Sequence, residues 1–219
     1  MSLALRPQQY ERLLSGLQTI GLEVDERATE QLLDFIGLLH KWNRTYNLTA
    51  IDDPIEMVTR HLLDSLVISP FIQPPSILDV GTGAGLPGLP LAITRPADHF
   101  TLLDSNSKKT RFVQQVVSEL GLANVSVVHS RMEAFTPAQG FSTVVARAVT
   151  SLSDLLGQTT HVLAKGGMLV AMKGVYPQAE LEDLPAGINI ITIKSLQVPG
   201  LDGERHVVVI RSEPGLKTE

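Results

Sequence analysis

The chain has 219 residues, 43% hydrophobic and 19% charged, with no cysteine and a formal net charge of -5 at pH 7. That length carries one sizeable core, or a core with a small appendage. Lack of cysteine excludes disulfides, thiolate–metal sites and cysteine nucleophiles and fits a cytoplasmic location, while the acidic balance excludes non-specific attraction to phosphate as the mode of action. Contact with nucleic acid would need a local patch or a large preorganised target. No apolar run approaches the roughly 20 residues of a membrane span, and MSLALRPQQYERLL at the start is no secretory signal. No membrane partner is expected.

The first third reads as helix. YERLLSGLQTIGL carries Leu13, Leu14, Leu17 and Ile20 at helical spacing. DERATEQLLDFIGLLHKWNRTYN opens on Asp25, a suitable N-cap, and aligns Leu32, Leu33, Ile36, Leu39 and Trp42 along one face. Trp42 is therefore expected in the core, not as a platform for bases. A third helix within 55–67 presents Ile55, Val58, Leu62, Leu63 and Leu66, and the proline pair of FIQPPS breaks the pattern. Residues 1–75 are expected to form a helical extension packed on the rest.

After Ser76 the rhythm changes. SILDVG, HFTLLDS, VSVVHS, FSTVVARA and GMLVAMKG are short runs of strand length, rich in β-branched residues. Helix-like stretches over 87–94, 108–120 and 151–164 separate them. Such alternation predicts a parallel sheet covered by helices on both faces. In the tail, INIITIKSLQ and ERHVVVI are joined through PGLDG without a helix, which predicts an antiparallel pair at the sheet edge. The expected fold is α/β: a Rossmann-like class I methyltransferase core over 76–219, with a mostly parallel seven-stranded sheet.

The first strand delivers ILDVGTGAGLPGLPLAI, residues 77–93, to the carboxyl edge, where open α/β sheets bind ligands. Glycine there permits positive φ and close approach of a ligand. The helix start that follows is expected to offer free N–H groups. Gly83, Gly85 and Gly88 satisfy G-x-G-x-x-G, a weak signal alone, and a tight turn with no ligand is the plain alternative. Two acidic residues favour a nucleoside. Asp104 ends the second strand, where a carboxylate can accept both ribose hydroxyls; capping the next helix is its competing role. Asp79 lies inside the first strand, costly unless paired, and such a residue is commoner in S-adenosylmethionine sites than in NAD sites. The antiparallel tail also leaves little room for a second mononucleotide half. S-adenosylmethionine therefore ranks above NAD as cofactor.

Missing motifs narrow the methyl acceptor. Transfer to pyrimidine C5 needs a cysteine nucleophile, and the chain has none. The Asp/Asn-Pro-Pro-aromatic motif of exocyclic-amine transfer is missing after the fourth strand, where Arg147 stands instead. A buried arginine must meet an anion: the methionine carboxylate, a substrate phosphate or a structural carboxylate. A ring nitrogen such as guanine N7 needs no base, only alignment, which can remove about 7–11 kcal/mol of barrier. No catalytic acid or base is expected, and no metal: His61 lacks companions at ligand spacing.

HKWNRTYNLTAI, RHLLDSL, ILDVGTGAGLPGLPLAI, FTLLDSNSKKTRF, VVARA and LDGERHVVVI, in that order, resemble the glucose-inhibited division protein B family, the small-subunit ribosomal RNA methyltransferases G. The resemblance runs from about Leu38 to Ile210. It implies transfer of a methyl group from S-adenosylmethionine to N7 of one guanine in 16S rRNA of the small ribosomal subunit. It also implies cofactor contacts at Gly81, Leu86, Met132, Glu133 and Arg147, beside Gly83, Gly85 and Asp104 read from the loop and strand ends. Met132 is expected to act through its main chain.

On the RNA side, Lys108, Lys109 and Arg111 cluster at a helix start and oppose its dipole, so they suit either a phosphate or a solvated face. Arg44, Asn47, Arg60 and His61 are further candidates. Nothing in the sequence explains Glu204–Arg205–His206. A monomer acting on a ribosomal particle, not on naked RNA or DNA, is expected. Two rivals stand beside this expectation, an NAD-dependent oxidoreductase and a non-catalytic nucleotide-binding module.

Overall fold

The computed structural model describes residues 5–147, 150–185 and 187–211. Helix α1 (Arg6–Ile20) ends on Gly21 in the left-handed conformation, φ 69°. Helix α2 (Glu26–Tyr46) starts where the Asp25 carboxylate accepts the Ala28 N–H at 2.7 Å. Its apolar stripe, with Leu32, Leu33, Phe35, Ile36 and Leu39 all fully buried, faces the core. Trp42 packs against that core and against Phe112, ring centroids 5.6 Å apart, as its spacing predicts.

The third expected helix is not uniform. It runs as α3 (Pro54–Met57), a π-helical stretch Val58–Leu63, and α4 (Asp64–Leu66). In the π stretch the Asp64 N–H reaches back to the Thr59 carbonyl. Widening of this kind rotates the residues that follow relative to an ideal helix, a shift that periodicity cannot foretell.

The remaining elements are β1 (Ser76–Val80), α5 (Gly88–Thr94), β2 (His99–Asp104), α6 (Ser107–Leu120), β3 (Val125–His129), β4 (Phe141–Arg147), α7 (Leu152–Thr159), β5 (Leu163–Lys173), α8 (Gln178–Glu182), β6 (Asn189–Ser195) and β7 (His206–Arg211). Helix α8, little more than one turn, has no counterpart in the sequence reading. The seven strands lie in the order β3-β2-β1-β4-β5-β7-β6. β1 to β5 are mutually parallel, and β7 runs antiparallel to both β5 and β6. The antiparallel tail pair is present, and the chain reverses direction around β1, which makes the carboxyl ends of β1 and β4 the switch point.

Strand alternation divides the core in two. Ile77, Val145, Val170, Met172 and Val207 face α1, α2, α5 and α6, whereas Leu78, Val144, Leu169, Ala171 and Val208 face α7. Arg147, two residues beyond Val145, therefore projects to the side of the N-terminal helices. Asp79, two beyond Ile77, projects toward α5. No helix among the described residues is long and apolar enough to cross a membrane.

Candidate cofactor and acceptor site

The glycine loop is braced from below. Asp79 is fully buried, and its Oδ2 accepts the Thr82 hydroxyl at 2.6 Å and the Gly88 N–H at 2.8 Å, while Oδ1 has no partner among the described residues. Burial pushes this carboxyl up from 3.8 to about 6, against the pull of those two hydrogen bonds. Gly88 has to be glycine: a Cβ there would lie 2.2 Å from Leu102 and 2.7 Å from Asp79 Oδ2. Gly83, φ 60°, is different. A Cβ built on it meets nothing closer than the Gly81 carbonyl at 3.8 Å and Lys109 Nζ at 3.9 Å. The space over Gly83 is open.

Five N–H donors of the loop are already engaged. Thr82 N–H bonds to the Leu103 carbonyl, Gly83 N–H to Asp104 Oδ2, Gly85 and Leu86 N–H to the Thr82 carbonyl, and Gly88 N–H to Asp79. The expectation that the start of α5 leaves free N–H groups is corrected here: α5 has seven residues, and the buried Asp79 claims its first donor. A pyrophosphate would need those N–H groups. A cationic sulfonium nucleoside does not, and it can lie against the carbonyls and open space that remain, so the residues present fit S-adenosylmethionine better than a dinucleotide.

Asp104, 6% exposed, links two loops: Oδ2 accepts from Gly83 N–H and Oδ1 from Asn106 N–H, each at 2.8 Å. Capping of α6 falls to Asn106, whose side chain accepts from Lys108 and Lys109 N–H. Each Asp104 oxygen keeps one lone pair. Beyond β3, Met132–Ala134 form a 3-10 turn in which the Met132 side chain is buried in the α7-side core and Glu133 is exposed. The Leu86 side chain is buried as well. Met132 and Leu86 thus have main chain, not side chain, to offer a ligand.

At the end of β4, Arg147 meets Asp64. Its Nη1 lies 3.3 Å from Asp64 Oδ2, and the Nε of Arg205 lies 2.7 Å from Asp64 Oδ1. Asp64 is 3% exposed and, among the described residues, is the single carboxylate lining a cleft of about 390 Å³ otherwise walled by Ile51, Arg60, His61, Arg147, Lys173 and Arg205, with Met172 and Gly174. One negative charge shared by two guanidinium groups leaves a cation in excess. His61 adds none: burial, helped by the Arg147 charge, lowers its imidazole from 6.5 to about 4. Its Nε2 lies 2.9 Å from Thr49 Oγ1, and Nδ1 has no hydrogen-bond partner among the described residues. Thr49 is held in turn by Asn43, whose Oδ1 accepts the Thr49 N–H and whose Nδ2 donates to Asp52. The NRTYNLTAID stretch thereby builds one wall of the cleft.

A family model described as rRNA small subunit methyltransferase G matches residues 28–208. The chain belongs to that family. Proteins named ribosomal RNA small subunit methyltransferase G from Serratia proteamaculans and Nitrosococcus oceani are 49% and 50% identical to it, over 92% and 91% of this chain and 98% and 93% of theirs. Among solved structures, a SAM dependent methyltransferase from Aquifex aeolicus matches with a TM-score of 0.56 at 20% identity, covering 76% of this chain and 97% of that one. The N-methyltransferase NodS from Bradyrhizobium japonicum WM9, in complex with S-adenosyl-l-homocysteine, matches with 0.55 at 16%, covering 80% and 98%. At those identities the structures speak to the fold, which is that of class I S-adenosylmethionine-dependent methyltransferases. Neither the oxidoreductase nor the non-catalytic module finds support.

The expected site residues of this chain separate into groups. Gly81, Gly83, Gly85, Leu86, Asp104, Met132 and Glu133 gather at the carboxyl edge of β1 to β3. Arg147 stands between them and the cleft, which also takes Arg60 and His61. Lys109 reaches the glycine loop, whereas Lys108 and Arg111 are exposed on α6. Asn47 is the left-handed C-cap of α2, φ 49°, a role that accounts for it without RNA. Arg44 lines a different groove with Arg6, Asp34, Lys41 and Glu119. Sequence reasoning missed Asp64, Arg205, Lys173 and Thr49 as members of the site. Asp64 and Arg205 are 141 positions apart, so their pairing leaves no local trace, although both fall within the stretches that carry the family resemblance.

Proposed function

We propose that this protein transfers a methyl group from S-adenosylmethionine to N7 of a guanine in 16S rRNA, acting as a monomer in the cytoplasm on the small ribosomal subunit. The observation that carries the proposal is the pairing of a glycine loop most of whose N–H groups are internally engaged with an adjoining cleft that holds more cations than anions. The first suits a cationic nucleoside, and the second suits an anionic acceptor.

The cofactor would be held by Gly81, Gly83, Gly85 and Leu86 and by the main chain of Met132–Glu133, with the free lone pairs of Asp104 directed to ribose hydroxyls. When bound, S-adenosylmethionine supplies an electrophilic methyl on a sulfonium. Arg147 marks the boundary between the two halves. With Arg205 and Arg60 it would anchor RNA phosphate so that the guanine ring enters beside the loop. N7 has a lone pair and no proton to lose. The lining groups match that need: Asp64 is neutralised by its arginines, and His61 is a neutral, weak base. The chain contributes alignment and exclusion of water, not proton transfer. Residues 1–75, as a helical extension on a core over 76–219, supply the second wall of the acceptor side; residues 212–219 lie outside those described.

Incubating the protein with labelled S-adenosylmethionine and small subunits lacking the modification tests the proposal. Label in 16S rRNA as 7-methylguanine is expected. Label at another atom would refute the N7 assignment, and no label would refute the function.

A further inference from the structure

The segment between β5 and α8, residues 174–177, carries an exposed apolar pair: Val175 is 71% and Tyr176 is 45% exposed. Solvated apolar side chains are commonplace singly, but this pair borders a charged cleft. Lys173 and Gly174, immediately before it, line that cleft, as does Arg205. The Tyr176 ring contacts His206 edge-on, centroids 5.5 Å apart and planes at 84°. A perpendicular contact occupies at most one ring face. With Tyr176 nearly half exposed, ring surface remains for a further contact.

The segment is also pinned at both ends. Lys173 Nζ donates to the Thr150 carbonyl and to Glu180 Oε2, both at 2.7 Å, and the same Glu180 oxygen accepts the Leu152 N–H at 2.7 Å. One carboxylate thus ties β5, α7 and α8 together. The Gln178 N–H closes the turn onto the Tyr176 carbonyl at 3.0 Å. An aromatic ring on a fixed support needs little ordering to make a contact.

We infer that Tyr176 is a stacking platform for an unpaired RNA base next to the methylated guanine, with Arg205 beside it holding the adjoining phosphate. The inference rests on the proposed function. An exposed aromatic ring beside a groove with excess positive charge is the pattern by which single-stranded nucleic acid is gripped. Charge favours RNA over a protein partner: Glu180 and Glu56 offset Lys173 and Arg60, but Asp64 is one carboxylate against two guanidinium groups, so a positive charge remains. Tyr176 is at the rim and not among the lining residues, so it takes a flanking base, and binding rather than the chemical step depends on it. It is a positioning residue.

The test compares Tyr176→Ala, Tyr176→Phe and Tyr176→Trp in methylation of small ribosomal subunits, with cofactor affinity measured separately. Stacking predicts that Ala raises KM for subunits about tenfold, with kcat and cofactor affinity near wild type, and that Phe and Trp restore KM. As a readout independent of turnover, the indole emission that Tyr176→Trp adds to that of Trp42 should be quenched when subunits bind. An unchanged KM for Ala, a loss in Phe equal to that in Ala, or unquenched emission from the added indole overturns the inference while the proposed function stands. If the wild-type protein methylates no rRNA, both fall. If crosslinking from position 176 reaches a ribosomal protein and not RNA, the platform binds protein and the inference fails.

Discussion

Arg147 and Arg205, from β4 and from the turn before β7, meet on a single buried carboxylate, Asp64, at 3.3 and 2.7 Å. The contact joins the N-terminal helices to both halves of the sheet. It also sets how many positive charges face the acceptor cleft.

Because Asp64 is shared, the two arginines should not act independently. Removing either alone leaves the carboxylate one partner, and each arginine is itself about a quarter exposed, so the stability cost of each single change is about 1 kcal/mol. Removing both strands a buried charge. The double variant Arg147→Ala/Arg205→Ala should lose about 1–3 kcal/mol more than the sum of the singles. Denaturant titration of the four proteins measures this, and strict additivity would show that Asp64 is hydrated. Methyl transfer by either single variant should fall about 10- to 100-fold with little change in Tm.

Two glycines of the loop should fail in opposite ways. Gly83→Val points into open space over the loop at the strain of about 1–2 kcal/mol that a side chain at positive φ costs. It should fold and lose cofactor binding, as calorimetry with S-adenosylhomocysteine would report. Gly88→Ala drives a methyl into Leu102 and Asp79 and should cost about 1–3 kcal/mol of stability. Equal cofactor affinity for Gly83→Val and wild type would place the cofactor elsewhere.

How much of this was legible in the sequence depended on the range of the interaction. The strands and most helix boundaries came from local patterns: Asp25 as a cap, the apolar stripe of α2. The glycine loop and Asp104 were also visible, because strand ends place them. Periodicity missed the π stretch Val58–Leu63, since a hydrogen bond reaching one residue further back leaves no mark in the spacing of apolar residues. It also could not find the Asp64–Arg205 pair, made by elements far apart in the chain. The engagement of the loop's N–H groups depends on where the Asp79 and Asp104 carboxylates and the Leu103 and Thr82 carbonyls turn, which only the packed structure fixes.

Asp79 should leave a mark on the pH dependence of stability. Its folded-state value, about 6, lies above the ordinary 3.8, so its contribution is fully present below about pH 4 and is lost as pH rises through about 6. The stability of wild type minus that of Asp79→Asn should therefore decline by a few kcal/mol over that interval and level off above it. His61 titrates in the same range in the opposite direction but is common to both proteins and cancels. A flat difference would mean that the carboxyl is hydrated or paired.

With a net charge of -5, the protein draws RNA in through local basic patches, not through its overall field. A short naked stem-loop should be methylated far more slowly than the assembled subunit, and raising salt should increase KM for the subunit modestly. Comparable turnover on both substrates would show that the preorganised particle is unnecessary.

Mass-spectrometric mapping of 16S rRNA, after reaction of the purified protein with unmodified small subunits and S-adenosylmethionine, bears most directly on the whole account. A single new 7-methylguanine is predicted, formed far more slowly by Arg147→Ala. A methyl group on another base or another atom, or none in 16S rRNA, would contradict it.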